Sequence, residues 1–286
     1  MATLSGFIAI LLWSLLALLT AASGSMPPFQ LTALAFTIAT LVGFADIARK
    51  GTKIRTLKQS LPIWVLGVGG LFGFHFFYFT ALRNAPPVEA SLIAYLWPLL
   101  IVLMSTMLPG ERLRWFHIIG AIMGLLGTAL LVTRGTSISF ESQYALGYAA
   151  AIMCALIWAG YSVLSRKFSN VPTDVVTGFC AATALLSAFC HILLETTLWP
   201  ETSIQWLAVI GLGLGPVGLA FYTWDIGMKH GNIQLLAVGS YAAPLLSTLI
   251  MIAFGYGVFT WQVALACLLI TGGALLAAKE IIGKKS

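Results

Sequence analysis

Charge is what this sequence has least of. Only 8% of its 286 residues are Asp, Glu, Lys or Arg, and 59% are hydrophobic. A soluble domain carries about 25% charged residues. A water-soluble fold of this composition would have too little polar surface to cover itself. The nine acidic residues form no cluster suited to a metal. The four cysteines, Cys154, Cys180, Cys190 and Cys267, all lie in apolar runs, and none forms a Cys-x-x-Cys. They imply no disulfide framework and read as small buried hydrophobes. His-Glu-x-x-His and Gly-x-Ser-x-Gly are absent. GLGPVG at 213–218 satisfies Gly-x-Gly-x-x-Gly, but it sits inside an apolar run with no strand before it, so no dinucleotide site follows. Its glycines, like the pairs Gly69 with Gly73 and Gly120 with Gly124, suit close helix contact instead. Nothing here assembles an enzyme, and no cofactor or metal is expected. The net charge of +6 sits in short loops rather than in tracts. Topology and anionic headgroups account for it, and nucleic acid does not.

What is present is a series of long apolar runs. About 20 apolar residues are needed to cross the hydrocarbon. Ten runs qualify, at 2–22, 28–48, 61–83, 87–108, 114–133, 144–166, 173–194, 203–228, 231–253 and 259–279. The first lacks a positively charged start and is long enough to span, so it reads as a retained helix rather than a signal peptide. With the N-terminus in the cytoplasm, Arg49, Lys50, Lys53, Arg55, Lys58, Arg112, Arg114, Arg166, Lys167, Lys229, Lys279, Lys284 and Lys285 all fall inside. Only Arg83 and Arg134 fall outside. That bias supports an even number of spans with both termini cytoplasmic. The expected fold is an all-α membrane protein.

The runs repeat. Shifted by 146 without a gap, Gly67 meets Gly213, Gly69 meets Gly215, Tyr95 meets Tyr241, Pro98 meets Pro244, Trp115 meets Trp261 and Gly127 meets Gly273. Trp13 meets Trp158 at 145. Leucine matches would mean little, but Trp, Tyr and Pro at one offset mean more. The expectation is two five-helix repeats, 1–140 and 141–286. Five is odd, so the second copy enters the membrane inverted. Such repeats mark secondary transporters. The paired prolines, in AYLWPLL at 94–100 and SYAAPLL at 240–246, remove a helical hydrogen bond each. Pro98 and Pro244 are therefore expected to free the carbonyls of Ala94 and Ser240 and to act as hinges beside a central site.

Several side chains suit such a site. His75, Tyr78, Tyr95, Trp97, Trp158, Tyr161, Trp224 and Tyr241 are the candidate substrate-binding residues, most of them well inside their spans rather than at the interface. Trp64, Trp115, Trp199, Trp206 and Trp261 fit an interfacial belt. His75 is the deepest ionisable group. An unperturbed imidazole titrates at about pH 6.5, which would serve a proton antiporter; a hydrogen bond to a neighbouring carbonyl is the structural alternative. Asp225 and Lys229, four apart, are expected to pair. Glu89 and Arg83 could pair across a tight turn, and His191 and Glu195 are expected to be solvated. Freed carbonyls and aromatic faces could take an ammonium, with cation–π contacts contributing about 0.5–2 kcal/mol. Tyr78, Tyr95, Tyr241 and His75 could hydrogen-bond a carboxylate. Trp97, Trp158 and Trp224 could flank an apolar side chain.

PGERLRWFHIIGAIMGLLGTALL at 109–131 resembles the signature after the fourth span in the EamA family of the drug/metabolite transporter superfamily. Gly110, Glu111, Arg112 and Leu113 carry it, with Gly120 and Gly127 downstream. The second copy, YGVFTWQ, lacks the Gly-Glu pair but keeps Trp261 and Gly273. Tyr-Leu-Trp-Pro within AYLWPLL is similar to the aromatic amino acid exporters of that superfamily. The resemblance implies a multi-pass exporter of aromatic and other neutral amino acids in a bacterial inner membrane, working by alternating access. Its partners would be an amino acid and the bilayer, and a monomer is compatible with every feature read here. The competing reading is an exporter of other small amphiphiles such as drugs or nucleobases. An intramembrane enzyme or lipid-binding scaffold stands further off.

Overall fold

A computed structural model describes residues 1–136 and 138–279. Lys284 and Lys285, and the last residues of the expected second repeat, lie outside the described residues. Within them there is no strand. Nine helices are long and apolar enough to cross a membrane: α1 Ala2–Ala22, α2 Pro28–Lys50, α3 Leu61–Asn84, α4 Pro87–Met107, α5 Trp115–Thr133, α6 Ser142–Phe168, α7 Thr173–Leu194, α8 Ser203–His230 and α9 Ile233–Ala253. A shorter apolar helix, α10 Trp261–Ala277, follows. Each lies within a few residues of its expected run.

Local chemistry sets the ends. Proline occupies the first turn of α2, α3 and α4, where its missing N–H is no loss. Gly51 stops α2 in the left-handed region at φ 66°. Thr202 accepts a bond from the Gln205 amide while the Gln205 side chain bonds back, a capping box for α8. Asn232 accepts from the Leu235 amide and caps α9.

The outward faces are apolar. Leu185, Ile192 and Leu268 are each more than 70% exposed. A surface of this kind is a liability in water and ordinary against lipid. Trp115, Trp199 and Trp261 are exposed at helix ends, as an interfacial belt requires.

Inside, α5 lies along α10, α2 along α7, α1 along α8 and α3 along α6. The α5–α10 contact is a backbone contact. A Cβ on Gly120 would stand 2.6 Å from the Gly273 carbonyl oxygen, and one on Gly273 would stand 2.5 Å from that of Gly120. Only glycine allows both, and the proximity gains dispersion where no hydrophobic effect operates. Gly124 receives the ring of Tyr241. Of the pair Gly69 and Gly73, only Gly73 faces a neighbouring helix, 3.4 Å from Ile157 of α6, while Gly69 faces nothing within 4 Å.

Gly69 instead opens a π-helical turn, Gly69–Gly73 in α3, and a second, Gly215–Leu219, interrupts α8 146 residues later. Three further helices break outright. α1 breaks between Trp13 and Leu16, α4 between Ala94 and Trp97, and α9 between Gly239 and Ala242. The α4 and α9 breaks fall at the paired prolines. The Ser240 carbonyl, expected to be freed by Pro244, accepts the Ala243 amide at 3.0 Å. The chain tightens to an i, i+3 bond there, so that carbonyl is not left unpaired.

Candidate functional site

Four of these interrupted or neighbouring helices deliver one tryptophan each to the same place. Trp13 of α1, Trp97 of α4, Trp158 of α6 and Trp224 of α8 are all mutual neighbours, with ring centroids 5.0 to 6.4 Å apart. Trp158 and Trp224 stack at an interplanar angle of 19°, and most of the other pairs meet edge to face, the arrangement favoured by ring quadrupoles. Phe221 and Phe74 extend the cluster, each contacting Trp158. Trp224 donates its indole N–H to Ser162 Oγ at 3.1 Å. It is fully buried, and Tyr161, Trp158 and Trp97 are buried beside it.

The two π turns frame the cluster. A π turn shifts the hydrogen-bond ladder and leaves backbone carbonyls seeking other donors. In α8 the Pro216 carbonyl accepts the Trp13 indole N–H at 3.1 Å. In α3 the Leu71 carbonyl accepts His75 Nδ1 at 2.7 Å. A carbonyl can only accept, so Nδ1 carries the proton and Nε2 of a neutral ring is left as an acceptor. The His75 ring lies among Phe36, Phe74, Phe79 and Phe221.

The polar edge lies one turn further along α3. Tyr78 stacks on Phe74 with ring planes 8° apart, and its hydroxyl is 3.4 Å from Ser91 Oγ of α4. His75, Tyr78, Ser91 and Tyr95 are half-buried, as is Trp13, whereas Trp97, Trp158 and Trp224 are buried. Tyr95 also lines a cavity of about 220 Å³ with Leu131, Val132, Pro244, Ser247 and Thr248. That cavity lies toward the ends of α5 and α9 at Thr133 and Ala253.

The structure therefore brings His75, Tyr78, Trp97, Trp158, Tyr161 and Trp224 into one constellation and sets Tyr95 beside Pro244 at the cavity. Pro98, buried, follows Trp97 at the start of the second piece of α4. Tyr241 stands apart, fully buried with its ring against Gly124. Tyr161 packs its ring on Gly70 of the α3 turn, and its hydroxyl has no hydrogen-bond partner among the described residues. Phe74, Phe221, Ser91 and Ser162 were not singled out from the sequence. Phe74 precedes Tyr78 by four and Phe221 precedes Trp224 by three, the helical spacing that could have found them.

Charged groups depart from expectation at one end. Glu195 is not solvated: its side chain is 2% exposed and accepts four donors. These are the Phe29 and Gln30 amides at the start of α2, Arg83 at 2.8 Å and His191 at 3.0 Å. A helix N-terminus and two basic groups repay its desolvation. His191 is largely covered too, with Nε2 on Thr197. Arg83 is thereby taken from Glu89, which binds the Tyr148 hydroxyl instead. The Asp225–Lys229 pair forms as expected at 2.8 Å, joined by Thr173 and the Val171 carbonyl. Among the described residues no group of His, Cys, Asp or Glu could hold a metal.

The EamA-like transporter family matches this chain twice, over residues 1–133 and 145–278. The aromatic amino acid exporter YddG of Ancylobacter novellus is 59% identical over 277 residues, covering 96% of each chain. The exporter of the same name from Escherichia coli is 26% identical over 298 residues, again 96% of each. A crystal structure of a protein 59% identical to this chain superposes with a TM-score of 0.92, covering 96% of both.

Proposed function

A chain matched over both halves belongs to the EamA-like transporter family, and from that premise we propose that it exports aromatic and other neutral amino acids across a bacterial inner membrane by alternating access. The observation that carries the substrate class is the tryptophan quartet next to a half-buried polar edge. An aromatic or apolar side chain would lie against Trp97, Trp158 and Phe74. The zwitterion would meet Tyr78, Tyr95, Ser91 and the free Nε2 of His75. Among the described residues no fixed cation stands at that edge, so recognition rests on neutral hydrogen bonds and ring faces. Binding of that kind is weak and broad, which suits the clearance of excess metabolite.

The proposed machinery is a pair of inverted five-helix repeats, residues 1–140 and 141–286, with ten spans and cytoplasmic termini. Three features support it. The helix pairs map onto one another under the 146-residue shift: α1 with α8 exchanges with α6 with α3, while α2 with α7 and α5 with α10 each return to themselves. The π turns of α3 and α8 share that offset. The breaks of α4 and α9 sit at matched prolines, where the pieces can swing.

The test is growth and transport. Expression should protect cells against toxic aromatic amino acid analogues. Proteoliposomes should take up labelled tryptophan, with unlabelled aromatic and neutral amino acids competing and drugs or nucleobases failing to compete. Competition by the drugs alone would move the substrate to the other class.

A further inference from the structure

The cavity at Tyr95 has a counterpart that is filled. Its lining is Tyr95, Leu131, Val132, Pro244, Ser247 and Thr248. Under the 146-residue shift these correspond to Tyr241, Ala277, Ala278, Pro98, Ile101 and Val102. Burial differs between the two sets. In the first, Pro244 is buried and the others are half-buried; in the second, Ala278 is half-buried and the others are buried. The second set points to the Lys- and Arg-rich end. Ala277 and Ala278 directly precede Lys279, and the piece of α4 that carries Ile101 and Val102 runs on toward Arg112 and Arg114. There the first piece of α9, Ile233–Gly239, packs along the second piece of α4, Trp97–Met104. The cavity occupies the matched place at the other end. It lies between Tyr95, at the break that ends Pro87–Ala94, and Ser247 and Thr248 of Ala242–Ala253.

The filled set is apolar except at one place. Where the cavity has Ser247 and Thr248, it has Ile101 and Val102. The Tyr241 hydroxyl is fully buried and makes no hydrogen bond among the described residues. It lies by the backbone of Leu99 without the geometry of a bond. Leu99 is third in the second piece of α4, where a helical amide has no partner in its own helix. Pro98, before it, has no N–H to offer. If ring packing on Gly124 were the whole role of Tyr241, phenylalanine would supply it without burying an unpaired hydroxyl.

We propose that Tyr241, Pro98, Ile101, Val102 and Ala277 line a second vestibule, which opens on the Lys- and Arg-rich side when the Tyr95 cavity closes, and that the Tyr241 hydroxyl and the Leu99 amide receive the solute's carboxylate there. Inverted copies exchange conformations in such a cycle, so the lining of one cavity identifies the lining of the other. The hydroxyl that is orphaned while the vestibule is filled gains its partner when the solute enters. The inference rests on the inverted-repeat and alternating-access reading.

Cysteine labelling in membrane vesicles tests it, with a charged, membrane-impermeant methanethiosulfonate. Cys267, the half-exposed native cysteine, is replaced by alanine, and the other three, buried, set the background. Val102→Cys and its mate Thr248→Cys are compared in everted and right-side-out vesicles. Val102→Cys should react at least about tenfold faster from the Lys- and Arg-rich face, and Thr248→Cys at least about tenfold faster from the other. Ala277→Cys should behave as Val102→Cys does and replaces it if that variant fails to fold. If the Val102 and Ala277 variants stay at background from both faces while Thr248→Cys reacts and tryptophan is still transported, the second vestibule is wrong and alternating access stands. If Val102→Cys and Thr248→Cys react equally from both faces, the path is a continuous pore and both proposals fall. Tyr241→Phe should lower tryptophan uptake about tenfold while the thermal midpoint in detergent stays level or rises. Unchanged uptake would remove the hydroxyl from solute binding, and a lower midpoint would make it a structural group.

Discussion

The helices α3 and α8 carry the same backbone defect at the same offset, and their neighbours use it differently. In α8 the exposed carbonyl, Pro216, is taken by an indole from another helix, Trp13. In α3 the carbonyl of Leu71 is taken by His75 of the same helix. The matched glycines Gly69 and Gly215 are both open, with nothing within 4 Å of a Cβ on Gly69 and only Leu12 Cδ2 at 3.7 Å from one on Gly215. Gly218, inside the α8 turn, instead has the Gly213 carbonyl oxygen of its own helix 2.0 Å from where a Cβ would be. The α8 turn is an anchor that fixes α1 against α8. The α3 turn faces the proposed site: its Leu71 carbonyl orients His75, and Phe74 and Tyr78 follow. The same backbone defect is a structural joint in α8 and, in α3, part of the proposed binding surface.

Perturbing the two turns and the rings between them should separate these roles. The largest effect is expected at Trp158, which stacks on Trp224 of α8 and meets Phe74 of α3. Trp158→Ala should lower tryptophan uptake by proteoliposomes about 100-fold, with the purified protein still monodisperse. Next, Gly218→Ala should cost about 2–3 kcal/mol, because a carbonyl rather than a flexible side chain stands in the way. A fall in thermal midpoint in detergent would register it, and an unchanged midpoint would remove the anchor role. Trp13→Phe keeps the ring contact but orphans the Pro216 carbonyl away from water. A loss of about 1–3 kcal/mol is expected, again read as a lower midpoint.

His75→Ala should act on transport rather than on stability, lowering uptake about tenfold with its pH profile unchanged, since the ring serves as a fixed hydrogen-bonding group. Loss of pH-driven uptake with counterflow intact would instead make His75 a proton carrier. The smallest effect belongs to Gly69→Ala. With open space at the Cβ and a helical backbone, stability should stay level or rise by about 0.5–1 kcal/mol. A large loss there would mean that the two turns are equivalent after all.

Much of this arrangement was legible before any coordinates. Hydrophobic run length located the helices to within a few residues, because backbone polar groups in lipid can be satisfied only inside a helix. The shared offset of Tyr95 with Tyr241 and Pro98 with Pro244 located the two broken helices. Interior aromatics located most of the ring cluster. The errors have two sources, partners distant in the chain and backbone bonding beside the proline. Arg83 was matched with Glu89 because they are near in sequence, yet Glu195, more than a hundred residues away, offered a better-enclosed carboxylate with α2's amides already on it. Ser240 was expected to present a free carbonyl, and a local i, i+3 bond absorbed it. Tyr241 was grouped with Tyr95 by symmetry, but the closely packed α5 and α10 place its ring on Gly124 instead.

By itself the sequence determined that the chain lives in lipid, that it is helical, and where its helices are weakened, since composition, run length and proline act locally and need no partner. Which helix supplies the donor to the Pro216 carbonyl and which carboxylate is buried were decided only by the tertiary structure. Those outcomes depend on side chains far apart in the chain competing for the same few polar groups, and that competition has no local signature.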